Sequence, residues 1–242
     1  VESFLAEKGP YKHFMAKEMH EQPTVISNAL ARYVADDRSA VRIPPGIDFA
    51  RAGRLVLVAC GTAHYACHVA KYWFETLARL PVEIEVASEF RYREPPLDTG
   101  AVGIFVSQSG ETADTLAALR YVRAAGGQVV SVVNVETSTI ARESDVALPI
   151  LAGPEIGVAS TKAFTCQLSV LACLAIAAGR QRGHLDAAAE RQLVETLTGV
   201  PGLIARALAL EADIAEVAKD VARARDVLFL GRGSMYPLAL EG

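Results

Sequence analysis

Residues 102–125 constrain the fold more than any other part of the chain. Val102-Gly-Ile-Phe-Val-Ser107 is a short apolar run, Gln108-Ser-Gly-Glu-Thr112 is a polar turn, and Ala113 to Ala125 has the pattern of a helix. A strand buried on both faces that opens through such a turn into a helix is one half of a βαβ unit. The same geometry prepares an anion site. The first N–H groups of a helix have no partner inside it and carry roughly half a positive charge between them, and phosphate binds there readily. Ser107, Ser109 and Thr112 bring three hydroxyls to that spot, and Gly110 lets the main chain approach a ligand closely. Taken by itself, the segment also fits an ordinary strand-to-helix turn with a Ser cap.

Variations of this unit run along the chain. Arg54 to Ala59 is a continuous apolar run, Cys60-Gly61-Thr62 turns the chain, and Ala63 to Ala78 is helical, with Val69, Tyr72, Trp73 and Leu77 at three/four spacing. Val82–Val86, Gln128–Val133 and Asp145–Pro149 read as further strands, Ser88–Tyr92 as a short helical turn, and Ser160–Ala178 as a strongly apolar helix. Before them, Tyr11–His20 and Pro23–Ala35 read as two helices around Gln22-Pro23, and Asp36–Gly53 as a loop. After them, Asp186–Lys219 is helical with a break at Pro201. Asp226–Leu230 is a last strand, with Gly231-Arg-Gly-Ser234 as its turn, an echo of Leu55–Val58 with Cys-Gly-Thr. Strands alternating with helices imply a parallel sheet in an α/β fold.

Composition agrees. In 242 residues, 51% are hydrophobic and only 7% aromatic, which suits a core of small aliphatics between sheet and helices. A net charge of −4 gives no basic excess, so nucleic acid is not an expected partner. Glu2, Glu7 and Lys8 interrupt the first apolar residues, so no secretory signal is expected. The apolar part of Cys166–Ala178 reads as too short and too interrupted to cross a membrane. Cys60, Cys67, Cys166 and Cys173 have no CxxC spacing and fit the small buried thiols of a reduced, cytoplasmic protein. Beginning at Val1 and stopping at Glu241-Gly242, inside a helical pattern, the chain reads as a piece of a longer protein.

Three small polar turns share one logic: Cys60-Gly61-Thr62-Ala63, Ser107 to Thr112, and Glu155 to Lys162. In an open parallel sheet, ligands bind beyond the carboxyl ends of the strands. The first two turns would meet there and the third could close over them. A phosphate ester of a polyhydroxyl compound suits such a rim, with Gln108 placed for sugar oxygens. A nicotinamide dinucleotide does not: Gly61 has no GxGxxG around it, and Tyr236 stands where Gly231-Arg-Gly233 needs its third glycine. Glu111 reads as a helix-dipole residue turned away from an anion. Lys162, at a helix start, needs an anionic partner or is a surface lysine paired with Glu155. Cys60 lacks a base in sequence, and His64 and His68, one turn apart, lack the third ligand of a metal motif, so a solvated or core-flanking pair is expected. Arg91, Tyr92 and Arg93 read as an exposed patch.

Several separated motifs resemble one family. Cys60-Gly-Thr62, Ala87-Ser-Glu-Phe-Arg-Tyr-Arg93, Ser107-Gln-Ser-Gly-Glu-Thr-Ala-Asp-Thr115, Glu155-Ile-Gly-Val-Ala-Ser-Thr-Lys-Ala-Phe164 and Leu228-Phe-Leu-Gly-Arg-Gly233 resemble the isomerase region of the glutamine–fructose-6-phosphate aminotransferases, the glucosamine-6-phosphate synthases. That region belongs to the sugar isomerase (SIS) family of phosphosugar-binding domains, and Tyr11 to Pro23 resembles the segment leading into it. The resemblance implies a three-layer, flavodoxin-like sandwich around a five-stranded parallel sheet. It implies that fructose 6-phosphate is held for amination by glutamine-derived ammonia and isomerisation to glucosamine 6-phosphate.

By the same resemblance, Ser107, Gln108, Ser109 and Thr112 grip the phosphate, and Cys60, Gly61 and Thr62 line the sugar with the backbone around Val158 and Ser160. Ala63 replaces a serine common in the family. No cofactor and no metal are implied. A homodimer and a glutaminase domain elsewhere in the full protein are. The implied layout is an N-terminal helical segment over 1–53, a first SIS domain over 54–225 and the start of a second over 226–242. The family's catalytic residues fall in that second half and its tail, so none is expected here, and the chain by itself is expected to bind without turnover. A non-catalytic, sugar-phosphate-sensing SIS module acting on a partner is the alternative.

Overall fold

The computed structural model describes residues 7–97 and 100–242. Residues 1–6, part of the expected N-terminal segment, lie outside them. Five strands form one sheet: β1 (Leu55–Ala59), β2 (Val82–Val86), β3 (Val102–Ser107), β4 (Gln128–Val133) and β5 (Val146–Pro149). Their order is β2-β1-β3-β4-β5, and every pairing is parallel. Side chains alternate between faces along each strand, so each strand feeds two cores.

Leu55, Leu57, Ile104, Val106, Val130, Val132 and Leu148 point to one face. There they meet α1 (Phe14–Tyr33), α2 (Thr62–Leu77) and α6 (Lys162–Gln181). Val56, Val58, Phe105, Val129 and Val133 point to the other and meet α3 (Ala87–Arg93), α4 (Ala113–Ala124) and α5 (Thr139–Arg142). This is the expected three-layer sandwich. The helices α7 (Ala187–Thr198), α8 (Val200–Leu208), α9 (Glu211–Val221) and α10 (Tyr236–Glu241) complete the described chain.

Four expectations differ from the structure. The N-terminal segment is one helix, with Pro23 inside α1. Proline deprives the carbonyl one turn back of its N–H, and here Gln22 Nε2 donates to that carbonyl, Met19 O, at 3.0 Å. The break in the 186–219 region is at Gly199 and at 209–210, while Pro201 sits in the first turn of α8, where its missing N–H costs nothing.

Asp226–Leu230 is not a strand. It pairs with none of the five, and Val227, Leu228, Phe229 and Leu230 are each more than half exposed. An apolar run gives strand propensity, but a strand also needs a neighbour to bond to. Finally, α6 has 20 residues and by length and composition could cross a membrane, contrary to the shorter reading. In the structure 78% of its apolar window is buried against the sheet and neighbouring helices, as the central helix of one face.

The four cysteines are free thiols, with Cys67, Cys166 and Cys173 buried and Cys60 partly exposed. Burial pushes Cys166 and Cys173 up to about 12, and Cys67 further in the same direction. Phe105, fully buried beside α4, fills the space over Gly103, where any Cβ would stand 2.8 Å from its ring. Phe105→Ala is expected to cost about 3–5 kcal/mol, read as a shift in denaturant midpoint. Tyr92→Ala, at a side chain 78% exposed, is expected to stay within about 0.5 kcal/mol.

Candidate functional site

β1 has β2 on one side and β3 on the other. The connections after β1 and β3 therefore leave the sheet toward opposite faces, and a crevice opens between them at the carboxyl ends. A cavity of about 330 Å³ lies at that place. Cys60, Thr62, Ser107, Gln108, Ser109, Thr112, Val158 and Ser160 all line it, with Ala63, Glu155, Gly157 and Gln167. Of the residues expected around a ligand, only Gly61 is not in the wall. It makes the turn, in the left-handed region at φ +58°.

The turn after β3 is tightly held. Gly110 N–H donates to Ser107 Oγ at 3.0 Å, and Ser107 Oγ lies 3.0 Å from Thr112 Oγ1. Glu111 N–H donates to Ser109 Oγ at 3.2 Å, and Ile140 N–H to Gly110 O at 3.0 Å. Gly110 has φ +66°, and a Cβ there would stand 2.0 Å from Ser138 Oγ. Thr112 is the N-cap residue of α4, yet its side chain takes none of the helix N–H groups. Ser107, Ser109 and Thr112, at the start of α4, line the cavity together.

The acidic groups nearby are engaged elsewhere. Glu111 Oε1 accepts Thr139 N–H at 2.7 Å, which holds its carboxyl below the usual range. Asp114 pairs with Arg91 at 3.0 Å, so that arginine is not simply part of an exposed patch. Glu155, one of the two alternatives for a partner of Lys162, instead caps α6: it accepts Thr161 N–H at 2.9 Å, Ala163 N–H at 3.1 Å and the Ser160 hydroxyl at 2.9 Å. Lys162 is buried and its Nζ meets Glu21 Oε2 at 2.6 Å. A surface lysine beside Glu155 is thus ruled out by burial and by the cap.

Among the described residues, no histidine lines the cavity with Cys60. His64 and His68 face each other with Nε2 atoms 3.0 Å apart, and no cluster of three metal-ligating side chains occurs among the described residues. Burial lowers the pKa of both rings.

Sequence reasoning missed three participants. Gln167 reads as part of an apolar helix but lines the cavity while almost wholly buried. Glu241 accepts the Thr62 hydroxyl at 2.6 Å, across 179 residues, and Glu18 accepts the N–H groups of Ile156 and Gly157. A polar residue at the apolar spacing of a helix is the one available signal, and it marks only Gln167.

Gly110→Ala is expected to lose the turn, because it combines a strained φ with a Cβ in the space of Ser138; circular dichroism melting and ligand titration read both losses. Glu111 gives a pH signature. Its folded value lies below the ordinary 4.5, so its contribution is present above that value and disappears as pH falls through the folded one. The stability gap between wild type and Glu111→Gln should therefore shrink as chemical-denaturation curves are taken to lower pH.

Comparison with known proteins agrees with the geometry. Residues 48–177 match the SIS domain family. The chain is 61% identical over 240 residues to a glutamine–fructose-6-phosphate aminotransferase [isomerizing] of Bradyrhizobium diazoefficiens, covering 98% of this chain and 40% of that protein. It is 55% identical to the enzyme of that name from Agrobacterium fabrum, covering 99% of this chain and 40% of that one. The chain thus spans about two fifths of the length of these relatives. Among solved structures, it superposes on the C-terminal domain of glucosamine-fructose-6-phosphate aminotransferase from Francisella tularensis. The TM-score is 0.91 at 38% identity, over 97% of this chain and 66% of that one. A glucosamine-6-phosphate deaminase from Thermotoga maritima shares the fold at 19% identity, with a TM-score of 0.67 over 95% of this chain and 65% of that one. A sheet of this order, a crevice where its connections part and the match over 48–177 make this chain a member of the SIS domain family.

Proposed function

We propose that the chain is the phosphosugar-binding half of an isomerase domain and that its ligand is fructose 6-phosphate. The observation that carries this reading is the convergence of Ser107, Ser109 and Thr112, the N-cap of α4, on one cavity with Cys60, Thr62 and Ser160. In this reading the phosphate sits over the α4 N-terminus. Its charge meets main-chain N–H groups and hydroxyls of Ser107, Ser109 and Thr112, with Gln108 beside it. The sugar lies toward Cys60, Gly61 and Thr62, with the main chain at Val158 and Ser160 over it. Ala63 leaves one hydroxyl fewer on that side.

The names of the relatives supply the rest as a proposal: in the full protein, ammonia from glutamine would aminate the bound ketose, and isomerisation would give glucosamine 6-phosphate. Moving a proton between C1 and C2 needs a positioned base. Among the described residues lining the cavity there is no histidine, and the one carboxylate, that of Glu155, is bonded at the α6 N-terminus. The chain by itself is therefore proposed to bind without turning over. A homodimer, a glutaminase domain in the full protein and a cytoplasmic location belong to the same proposal. So does the division into a leading segment over 1–53, a first SIS domain over 54–225 and the beginning of a second over 226–242. The relatives' shared name favours this reading over a sensing module.

Calorimetric titration tests it. Fructose 6-phosphate should bind and fructose should not, while Ser109→Ala and Thr112→Ala should each weaken binding by about tenfold, the effect of losing one bond to a charged group. Equal affinity for the two sugars, or discrimination that survives both substitutions, would sink the proposal.

A further inference from the structure

Glu18 is 2% exposed, on the side of α1 that faces the cavity loop. A carboxylate in such a place is costly unless hydrogen bonds satisfy it. Its partners are main-chain donors: Oε1 accepts Ile156 N–H at 2.6 Å and Gly157 N–H at 3.1 Å, and Oε2 accepts Gly157 N–H at 3.2 Å. Consecutive N–H groups turned toward one anion form a nest, and bonds to an ionised acceptor are about twice as strong as neutral ones. The carboxylate and the glycine are matched in shape as well. A Cβ on Gly157 would stand 2.6 Å from Glu18 Oε2.

The same side of α1 holds the start of α6. Glu21 Oε2 accepts Lys162 Nζ at 2.6 Å, and Gln22 Oε1 accepts the Thr165 hydroxyl at 3.1 Å. Between these attachments runs the loop that carries Gly157, Val158 and Ser160 into the cavity wall. One end is fixed by Glu18 at 156–157, the other by Glu155 at 160–163. Val158, fully exposed, spans the gap.

We infer that Glu18 is a positioning residue for ligand recognition: its buried carboxylate, bonded to Ile156 and Gly157, sets where the main chain at Val158 and Ser160 meets the sugar. The inference rests on the phosphosugar reading above. Glu18 itself is not in the cavity wall, so it acts through the loop and only on the sugar side. The phosphate turn of Ser107 to Thr112 is held by its own bonds.

The test compares two ligands, fructose 6-phosphate and inorganic phosphate, on wild type, Glu18→Gln and Ser109→Ala of this chain. Glutamine keeps the size but sets an NH2 against a main-chain N–H. Glu18→Gln should weaken fructose 6-phosphate about tenfold and leave inorganic phosphate within about twofold, whereas Ser109→Ala should weaken both. A general loss of structure would instead lower both affinities in Glu18→Gln, and that outcome overturns the inference. So does an unchanged fructose 6-phosphate affinity in Glu18→Gln when Ser109→Ala weakens both ligands, a result that leaves the binding reading standing. If Ser109→Ala changes neither, the binding reading fails and takes the inference with it. Should Glu18→Gln not fold, Gly157→Ala displaces the same carboxylate from the other side and should show the same selective loss; a loss of both ligands there refutes the assignment. Where both fold, the double variant should lose little more than either single one, as residues acting through one contact do.

Discussion

A parallel strand buried on both faces can present polar groups only where it ends. β1, β3 and β4 are in that position: nearly every residue in them is buried, with Gln128 as the partly exposed exception. Apart from Gly103, they consist of Val, Leu, Ile, Ala and Phe, with Ser107, Gln128 and Ser131 as the polar departures. Ser107 is the last residue of β3, where the burial ends and the cavity begins. The placing of the cavity follows from that position. The order β2-β1-β3 sends adjacent connections to opposite faces, and the gap between them receives both polar turns.

In the proposed reading the cavity takes an anion with no cation in its wall among the described residues. Among the described residues lining it, Glu155 is the sole charged side chain, and its oxygens are occupied by the α6 N-terminus and Ser160. The other carboxylates near the α4 start are drawn off, Glu111 to Thr139 and Asp114 to Arg91. What remains is a helix terminus, whose dipole is fixed by the backbone, and several hydroxyls, which can turn their O–H toward a ligand. The arrangement depends on holding several loops still at once, so much of the hydrogen bonding serves loop position.

Local signals were the legible ones. The strands announced themselves by their apolar residues, continuous in β1 and alternating with Glu83 and Glu85 in β2, and the turns after β1 and β3 were visible from their small polar residues, because these are properties of adjacent residues. Pro23 was misleading because its repair is a side-chain bond from Gln22, which no propensity encodes. Asp226–Leu230 was misleading for the opposite reason: its composition suits a strand, but pairing is a property of a neighbour. The pairs that shape the third wall of the cavity join residues 138 to 141 positions apart. A glutamate such as Glu18 looks in sequence like any exposed helix residue. Lys162 shows the intermediate case: its position demanded an anion, but only the packing of α1 on α6 selects Glu21 over Glu155.

The central place of α6 has a consequence for how such a chain comes into being. Fifteen of its residues are buried, and it lies between α1 and α2 on one side of the sheet. All five strands precede it in synthesis, as do both neighbouring helices. Until position 181 has left the ribosome, the inward-facing aliphatics of β1, β3 and β4 have no cover across the middle of that layer. The nascent protein therefore carries an open, greasy half-sandwich for the whole interval, a state that invites self-association. Docking of one helix covers the layer, so the apolar character that makes α6 look like a membrane segment is also what closes the sandwich.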